Sequence, residues 1–172
     1  MLKTFAERVV ALAPPPYQRT VRQFVKFGVT GTVGAIVDFG SYNFLKRGLG
    51  WDTVLEPFGY QLIAANLVSV FLAISCNFLL NKYWTFKNPA GGVLKQWTGY
   101  FTLNTFTFIL NQILTGFFAF RVPLIEQLFG NQKDNIAKAL AIGFILFINF
   151  LGSKFLVFRK KSPAPVSTET QL

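Results

Sequence analysis

Asn77-Phe-Leu-Leu-Asn-Lys-Tyr-Trp-Thr-Phe-Lys87 closes a long apolar run, and a second copy of its pattern closes another. That copy, Asn149-Phe-Leu-Gly-Ser-Lys-Phe-Leu-Val-Phe-Arg159, follows 72 residues later without a gap. Both read N-F-L, a small or apolar residue, Asn or Ser, Lys, an aromatic, two variable positions, Phe and a final cation. A segment that leaves an apolar stretch through Asn, then Lys and aromatic rings, has the composition of a helix arriving at a membrane surface. The repeat therefore predicts two helical hairpins of common design.

Composition agrees. Hydrophobic residues make up 52% of the 172 and charged residues only 14%, against about 25% charged in soluble domains. Twenty-one residues are Phe, more rings than a water-soluble chain of this size easily buries, whereas hydrocarbon does not require them to be hidden. A net charge of +10 would suggest nucleic acid in a polar chain. Here the cations mark one side of a membrane, and no nucleic-acid partner is expected.

Four apolar runs, roughly Phe24 to Leu45, Tyr60 to Asn81, Trp97 to Phe120 and Ile136 to Val157, each reach the ~20 residues a helix needs to cross hydrocarbon. Arg19, Arg22 and Lys26 precede the first; Lys82, Lys87 and Lys95 separate the second and third; Lys154, Arg159, Lys160 and Lys161 end the fourth. The other loops offset Lys46 and Arg47 with Asp52 and Glu56, and Arg121 and Lys133 with Glu126 and Asp134. The positive-inside rule then puts both termini and both repeated motifs in the cytoplasm. The expected fold is an all-α integral membrane protein whose four transmembrane helices form two parallel-repeat helical hairpins. The repeat reaches the odd helices at an offset of 73, pairing Gln23 with Gln96, Phe27 with Tyr100, Thr32 with Thr105, Ile36 with Ile109 and Asp38 with Asn111. Some transporters share such a plan; a tandem duplication with only a structural role would read the same way.

Three segments are expected: 1–19, an amphipathic or flexible N-terminal stretch; 20–160, the transmembrane domain; and 161–172, a cytoplasmic tail disordered by its Pro, Ser and Thr content. Leu2, Phe5, Val9 and Leu12 stand at helical spacing before Pro14, Pro15 and Pro16, and no cleavable signal peptide is read there. A single cysteine, Cys76, excludes an intrachain disulfide, and the absence of histidine excludes His-based metal sites and Ser-His or Cys-His catalysis. Without paired carboxylates either, no catalysis, metal or cofactor is expected.

Arg22-Gln-Phe-Val-Lys-Phe-Gly-Val-Thr-Gly-Thr-Val-Gly-Ala-Ile-Val-Asp-Phe39, the run from Asn77 to Phe86, Ala137-Lys-Ala-Leu140 and the run from Asn149 to Phe158 together resemble the GtrA-like family over residues 20–160. The sequence departs from that family at Ser153, where Asn is usual, as at Asn81. The resemblance implies a multi-pass protein of the bacterial plasma membrane. Its implied role is to flip a polyprenyl-phosphate-linked monosaccharide, such as undecaprenyl-phosphate glucose, for cell-surface polysaccharide glycosylation. A separate polyprenyl-phosphate glycosyltransferase would make that lipid. Two other readings stay open: a non-transporting membrane anchor for such an enzyme, and a small proton-coupled multidrug exporter.

A flippase needs a polar path inside the bundle. Asp38 is the one acidic residue within a span, a functional candidate by default, with Lys138 as its candidate partner unless that lysine snorkels outward. Asn66, Asn77, Asn111 and Asn149 can meet sugar hydroxyls or can bond between helices, which needs no ligand. Lys82 and Lys154, with Arg22 and Lys26, can clamp a phosphate or simply anchor helices to headgroups, as can the rings of Tyr83, Trp84 and Phe155. Gly28, Gly31 and Gly34 predict close approach of another helix. Four helices enclose little room for a sugar phosphate, so a homodimer surrounded by membrane lipids is expected.

Overall fold

The computed structural model describes residues 2–55, 62–88 and 92–159. The expected tail at 161–172, the Tyr60 end of the second run, and Lys160 and Lys161 lie outside them. Six helices, α1 (Leu2–Ala11), α2 (Gln18–Asn43), α3 (Ala64–Leu80), α4 (Val93–Arg121), α5 (Pro123–Phe129) and α6 (Lys133–Gly152), account for most of the described chain.

Two long pairs dominate the packing. Helix α2 lies against α3, and α4 against α6. Within each pair residue numbers rise on one helix as they fall on the other: Thr30 meets Asn81 while Asp38 meets Ser69, and a Cβ on Gly152 would collide with Leu103 while Thr107 meets Asn149. Both pairs are thus antiparallel. Three helices are long and apolar enough to cross a membrane, Ala64–Thr85, Val93–Arg121 and the stretch Pro123–Val157 that takes in α5 and α6. Helix α2, at 26 residues about 39 Å long, is not among them, because Lys26, Asp38 and its glycines dilute its apolar content.

Burial departs from that of a water-soluble protein. Thr30, Ser69, Asn81, Lys82, Gln96, Thr107 and Ser153 are buried, while Ile36, Phe39, Phe106, Phe108, Phe144 and Phe147 face outward. Polar groups inside and large apolar groups outside suit a hydrocarbon solvent, in which a polar group must find its partners within the protein. The chain is an all-α, multi-pass membrane protein.

Both copies of the repeated motif end in a widened helical turn. The Phe86 N–H reaches the Asn81 carbonyl and the Phe158 N–H reaches the Ser153 carbonyl, each at 2.8 Å. These i→i+5 bonds add a residue to the last turn, swinging Phe86 and Phe158 inward, where both are buried. They join Phe27, Phe78, Tyr100 and Phe150 in a six-ring core. Its contacts come in matched sets under the repeat. Phe27–Phe150 and Tyr100–Phe78 have centroids 5.8 and 5.9 Å apart, Phe27–Phe86 and Tyr100–Phe158 6.2 and 6.0 Å, and Phe78–Phe158 and Phe150–Phe86 5.8 and 6.0 Å. Phe86 and Phe158 stack on each other at 5.0 Å, where the two halves meet.

Several details depart from the sequence reading. Helix α2 begins already at Gln18, and α3 begins at Ala64 rather than Tyr60. Leu62–Ile63 instead forms a strand, β2, antiparallel to β1 (Val54–Leu55), with Val54 opposite Ile63. The β-branched residues flanking the loop favour this extended pairing over another helical turn. Helix α5 also went unforeseen; Pro123 starts it and Gly130, at φ 50°, ends it. Val10 of α1 is buried, and Leu12, just past the end of that helix, is exposed. Of Gly28, Gly31 and Gly34, only Gly34 meets a neighbour; Gly28 and Gly31 face open space.

Candidate functional site

The α2–α3 interface carries a polar seam. On α2 it is set by Thr30, Gly34 and Asp38, spaced one turn apart on a single face. Facing them from α3 and its terminal turn are Asn81, Asn77 and Ser69. The Thr30 hydroxyl sits 3.0 Å from Asn81 Oδ1 and 2.7 Å from the Phe27 carbonyl, and the Asn81 amide donates to the Tyr100 hydroxyl at 3.1 Å. One turn further in, the Asn77 side chain occupies the space a Cβ on Gly34 would need, and Asn77 Oδ1 is buried with no hydrogen-bond partner. Another turn on, the Ser69 hydroxyl lies 2.5 Å from Asp38 Oδ1.

The α4–α6 interface repeats the seam in altered chemistry. At Gly34's equivalent stands Thr107, whose hydroxyl reaches Asn149 Oδ1 at 2.8 Å. The equivalents of Thr30 and Asn81 are Leu103 and Ser153, and Ser153 Oγ is buried without a partner. Asp38's equivalent is Asn111, with Oδ1 also buried and unpartnered, and Ser69's is the buried Ala141. Buried polar atoms without partners are uncommon; here they line both helix pairs.

At one end of the seams the cations gather. Lys26 Nζ lies 4.9 Å from the Trp84 ring centroid and 3.4 Å from the Trp84 carbonyl, with Arg22 and Lys87 close enough to repel it. Lys154 donates to the Thr20 hydroxyl at 2.7 Å, lies over Phe155, and has Arg19 nearby. The ion pair found among the described residues, Lys133 with Glu126, involves none of these cations. The rings of Tyr83, Trp84 and Phe155 are exposed.

Lys82 differs from Lys154, although the sequence reading paired them at the boundary. It is 0% exposed, and its ammonium donates to the Gln96 side-chain oxygen at 2.5 Å and the Asn88 carbonyl at 3.0 Å. The Asn88 carbonyl, in the segment after the widened turn, completes the Lys82 site. Across the pair the pattern is still reciprocal: Lys82 reaches from the first half to α4, and Lys154 from the second half to α2. Asn88 adds a further tie, its amide donating to the Phe158 carbonyl at 2.9 Å.

Residues 26–158 match the family described as GtrA/DPMS, transmembrane domain. The chain belongs to this family. The GtrA/DPMS match runs from Lys26 through the last ring of the aromatic core and contains both seams; Thr20 and Arg22 fall just before it. Searches of curated proteins and of solved structures found no match. Membership in the GtrA/DPMS family ties the chain to the membrane processing of lipid-linked sugars.

Two expected site residues lie away from the seams. Asn66 is exposed and offers only its carbonyl, to Ser69. Lys138 is also exposed and makes no ion pair with Asp38, because its long stem lets the ammonium leave the apolar zone. Conversely, Thr30, Ser69, Thr107, Gln96 and Tyr100 complete the site without having been singled out. The signal was present: Thr30, Gly34 and Asp38 at intervals of four, against Asn81, Asn77 and Ser69 read in the opposite direction, describe one antiparallel interface.

Proposed function

We propose that this chain translocates a polyprenyl-phosphate-linked monosaccharide, such as undecaprenyl-phosphate glucose, across the bacterial plasma membrane for glycosylation of cell-surface polysaccharide. In this reading α2, α3, α4 and α6 are four crossings arranged as two parallel hairpins. The cationic end and both termini face the cytoplasm, as the distribution of Lys and Arg favours. The observation that carries the proposal is the pair of polar seams. Asn77, Asn111 and Ser153 hold polar atoms without partners inside a bundle whose outer surface is apolar. Sugar hydroxyls passing along a seam can supply those partners while the polyprenyl chain stays in lipid.

Arg22, Lys26 and Lys154, set among exposed rings, are suited to the lipid phosphate. Lys82 takes a different role, tying the end of α3 to the start of α4. The chain itself makes and breaks no covalent bond in this scheme. A polyprenyl-phosphate glycosyltransferase supplies the substrate on one side, and a second transferase consumes it on the other.

The test is leaflet exchange of a short-chain polyprenyl-phosphate glucose in liposomes containing only the purified protein. Exchange well above that of empty liposomes, reduced at least tenfold by Lys26→Gln with Lys154→Gln, is the expected result. Correctly inserted protein that leaves exchange at the empty-liposome rate would overturn the proposal.

A further inference from the structure

We infer that Asp38 and Ser69 form a reversible proton-binding site, and that proton exchange at this site drives the lipid-linked sugar across the membrane. The second clause rests on the transport function proposed above; the first stands on geometry alone.

The Ser69 hydroxyl has two oxygen neighbours, Asp38 Oδ1 at 2.5 Å and the Asn66 carbonyl at 3.0 Å. It owns one proton and can donate to only one of them at a time. With Asp38 ionised, the hydroxyl donates to the carboxylate, and 2.5 Å is the short separation of a charge-assisted O–H···O⁻ bond. With Asp38 protonated, the carboxylic acid donates to Ser69 Oγ, and the Ser69 proton turns to the Asn66 carbonyl, the back-bond a helical serine ordinarily makes. Both states keep Ser69 satisfied at the same heavy-atom positions. Gain of one proton from water takes the carboxyl from charge −1 to 0; its release on the other side restores the charge.

Among the described residues no cation forms an ion pair with Asp38. On α2 the neighbouring titratable group is Tyr42, one turn on; Lys46 and Arg47 follow in the turn after the helix, Lys46 interacting with Tyr42. Helix α3 offers only Cys76, nearly two turns from Ser69. Helix α6 carries Lys138, exposed and making no ion pair with Asp38; Lys133, which is paired with Glu126; and Asp134, in its first turn. Glu7 and Arg8 of α1 and the cations Arg19, Arg22 and Lys26 lie toward the other end of α2. A carboxylate in hydrocarbon without a counter-ion is costly, and neutralisation by a proton removes that cost. The second seam cannot do the same. Its equivalents, Asn111 and Ala141, have neither an ionisable group nor a hydroxyl, so the two halves differ by one proton.

The protonation arm uses the full-length protein in nanodiscs and infrared difference spectroscopy of the carboxylic C=O band in H2O and D2O. A band that grows on acidification, is absent from Asp38→Asn, and is altered in Ser69→Ala is expected. A band that does not respond to pH, or is unchanged in Asp38→Asn, would overturn the proton site. The coupling arm repeats the leaflet-exchange assay with and without an imposed pH gradient. Stimulation of several-fold that Asp38→Asn abolishes supports coupling. Exchange that ignores both the gradient and the substitution overturns coupling while leaving the flippase standing. A titrating Asp38 band in a protein with no exchange at all instead overturns the transport function.

Discussion

At the scale of single residues, the seam has little slack. Gly34 is the clearest case: a methyl group there would fall on the Asn77 amide. Gly34→Ala is therefore expected to cost about 1–3 kcal/mol by overpacking. In Gly34→Ala with Asn77→Ala most of that loss should return, since the obstruction leaves with the amide. Reversible unfolding in mixed micelles measures the cycle; a double variant no better than Gly34→Ala alone would mean that the contact is not what limits the helix approach. A second contrast separates the twin lysines. Removing the buried ammonium of Lys82 leaves the Asn88 carbonyl and Gln96 short of a donor, whereas Lys154 is half-exposed with one side-chain acceptor. Lys82→Met is expected to lower stability by about 1.5–3 kcal/mol, and Lys154→Met by clearly less, as a thermal-unfolding comparison in detergent will show.

At the scale of elements, the two widened turns matter most, because they present Phe86 and Phe158 to each other. Each ring touches two others of the core besides its stacked partner, Phe86 meeting Phe27 and Phe150, and Phe158 meeting Phe78 and Tyr100. Replacing either by Ala is expected to cost about 3–5 kcal/mol. Replacing both should cost less than the sum, because their mutual contact is removed only once; full additivity in equilibrium unfolding would deny the stack an energetic role. These elements also show what can be read in advance. The repeat disclosed the helix endings, and their equivalence survives in the ring contacts. It did not disclose that Lys82 turns inward, since Lys with aromatics reads the same whether the ammonium meets headgroups or a loop carbonyl. The burial of Lys82 depends on Asn88, six residues away, and on Gln96 of the next helix. Likewise the Ser69 neighbour of Asp38 required the register of α3 against α2, which apolar runs alone leave free to slide.

At the scale of the molecule, the proposed topology is open to direct measurement. In a Cys76→Ser background, single cysteines at Lys95 and Arg159 should react with an impermeant maleimide only after the cytoplasmic face is opened. Cysteines at Arg47 and Asn131 should react in intact cells. Labelling of Arg47→Cys and Lys95→Cys from the same side would show that α3 does not cross. Helix α2 is the informative element here, being the long helix whose apolar content falls short of the other three. Lys26, Asp38 and glycine dilute it, and it is these residues that bring it into both seam and cationic end.

The reciprocal fastening of the halves bears on how the protein is made. Lys154 closes on Thr20, Asn88 on the Phe158 carbonyl, and Phe27 on Phe150, so α2 is completed only by residues of α6 and its terminal turn, which are translated long after it. In the proposed topology the first hairpin would until then stand in the bilayer with half its aromatic core missing. A ribosome that stalls before Phe150 would leave an inserted but unclosed hairpin, recognisable to membrane proteases. Supplying residues 92–159 as a separate chain in the same cell should rescue it.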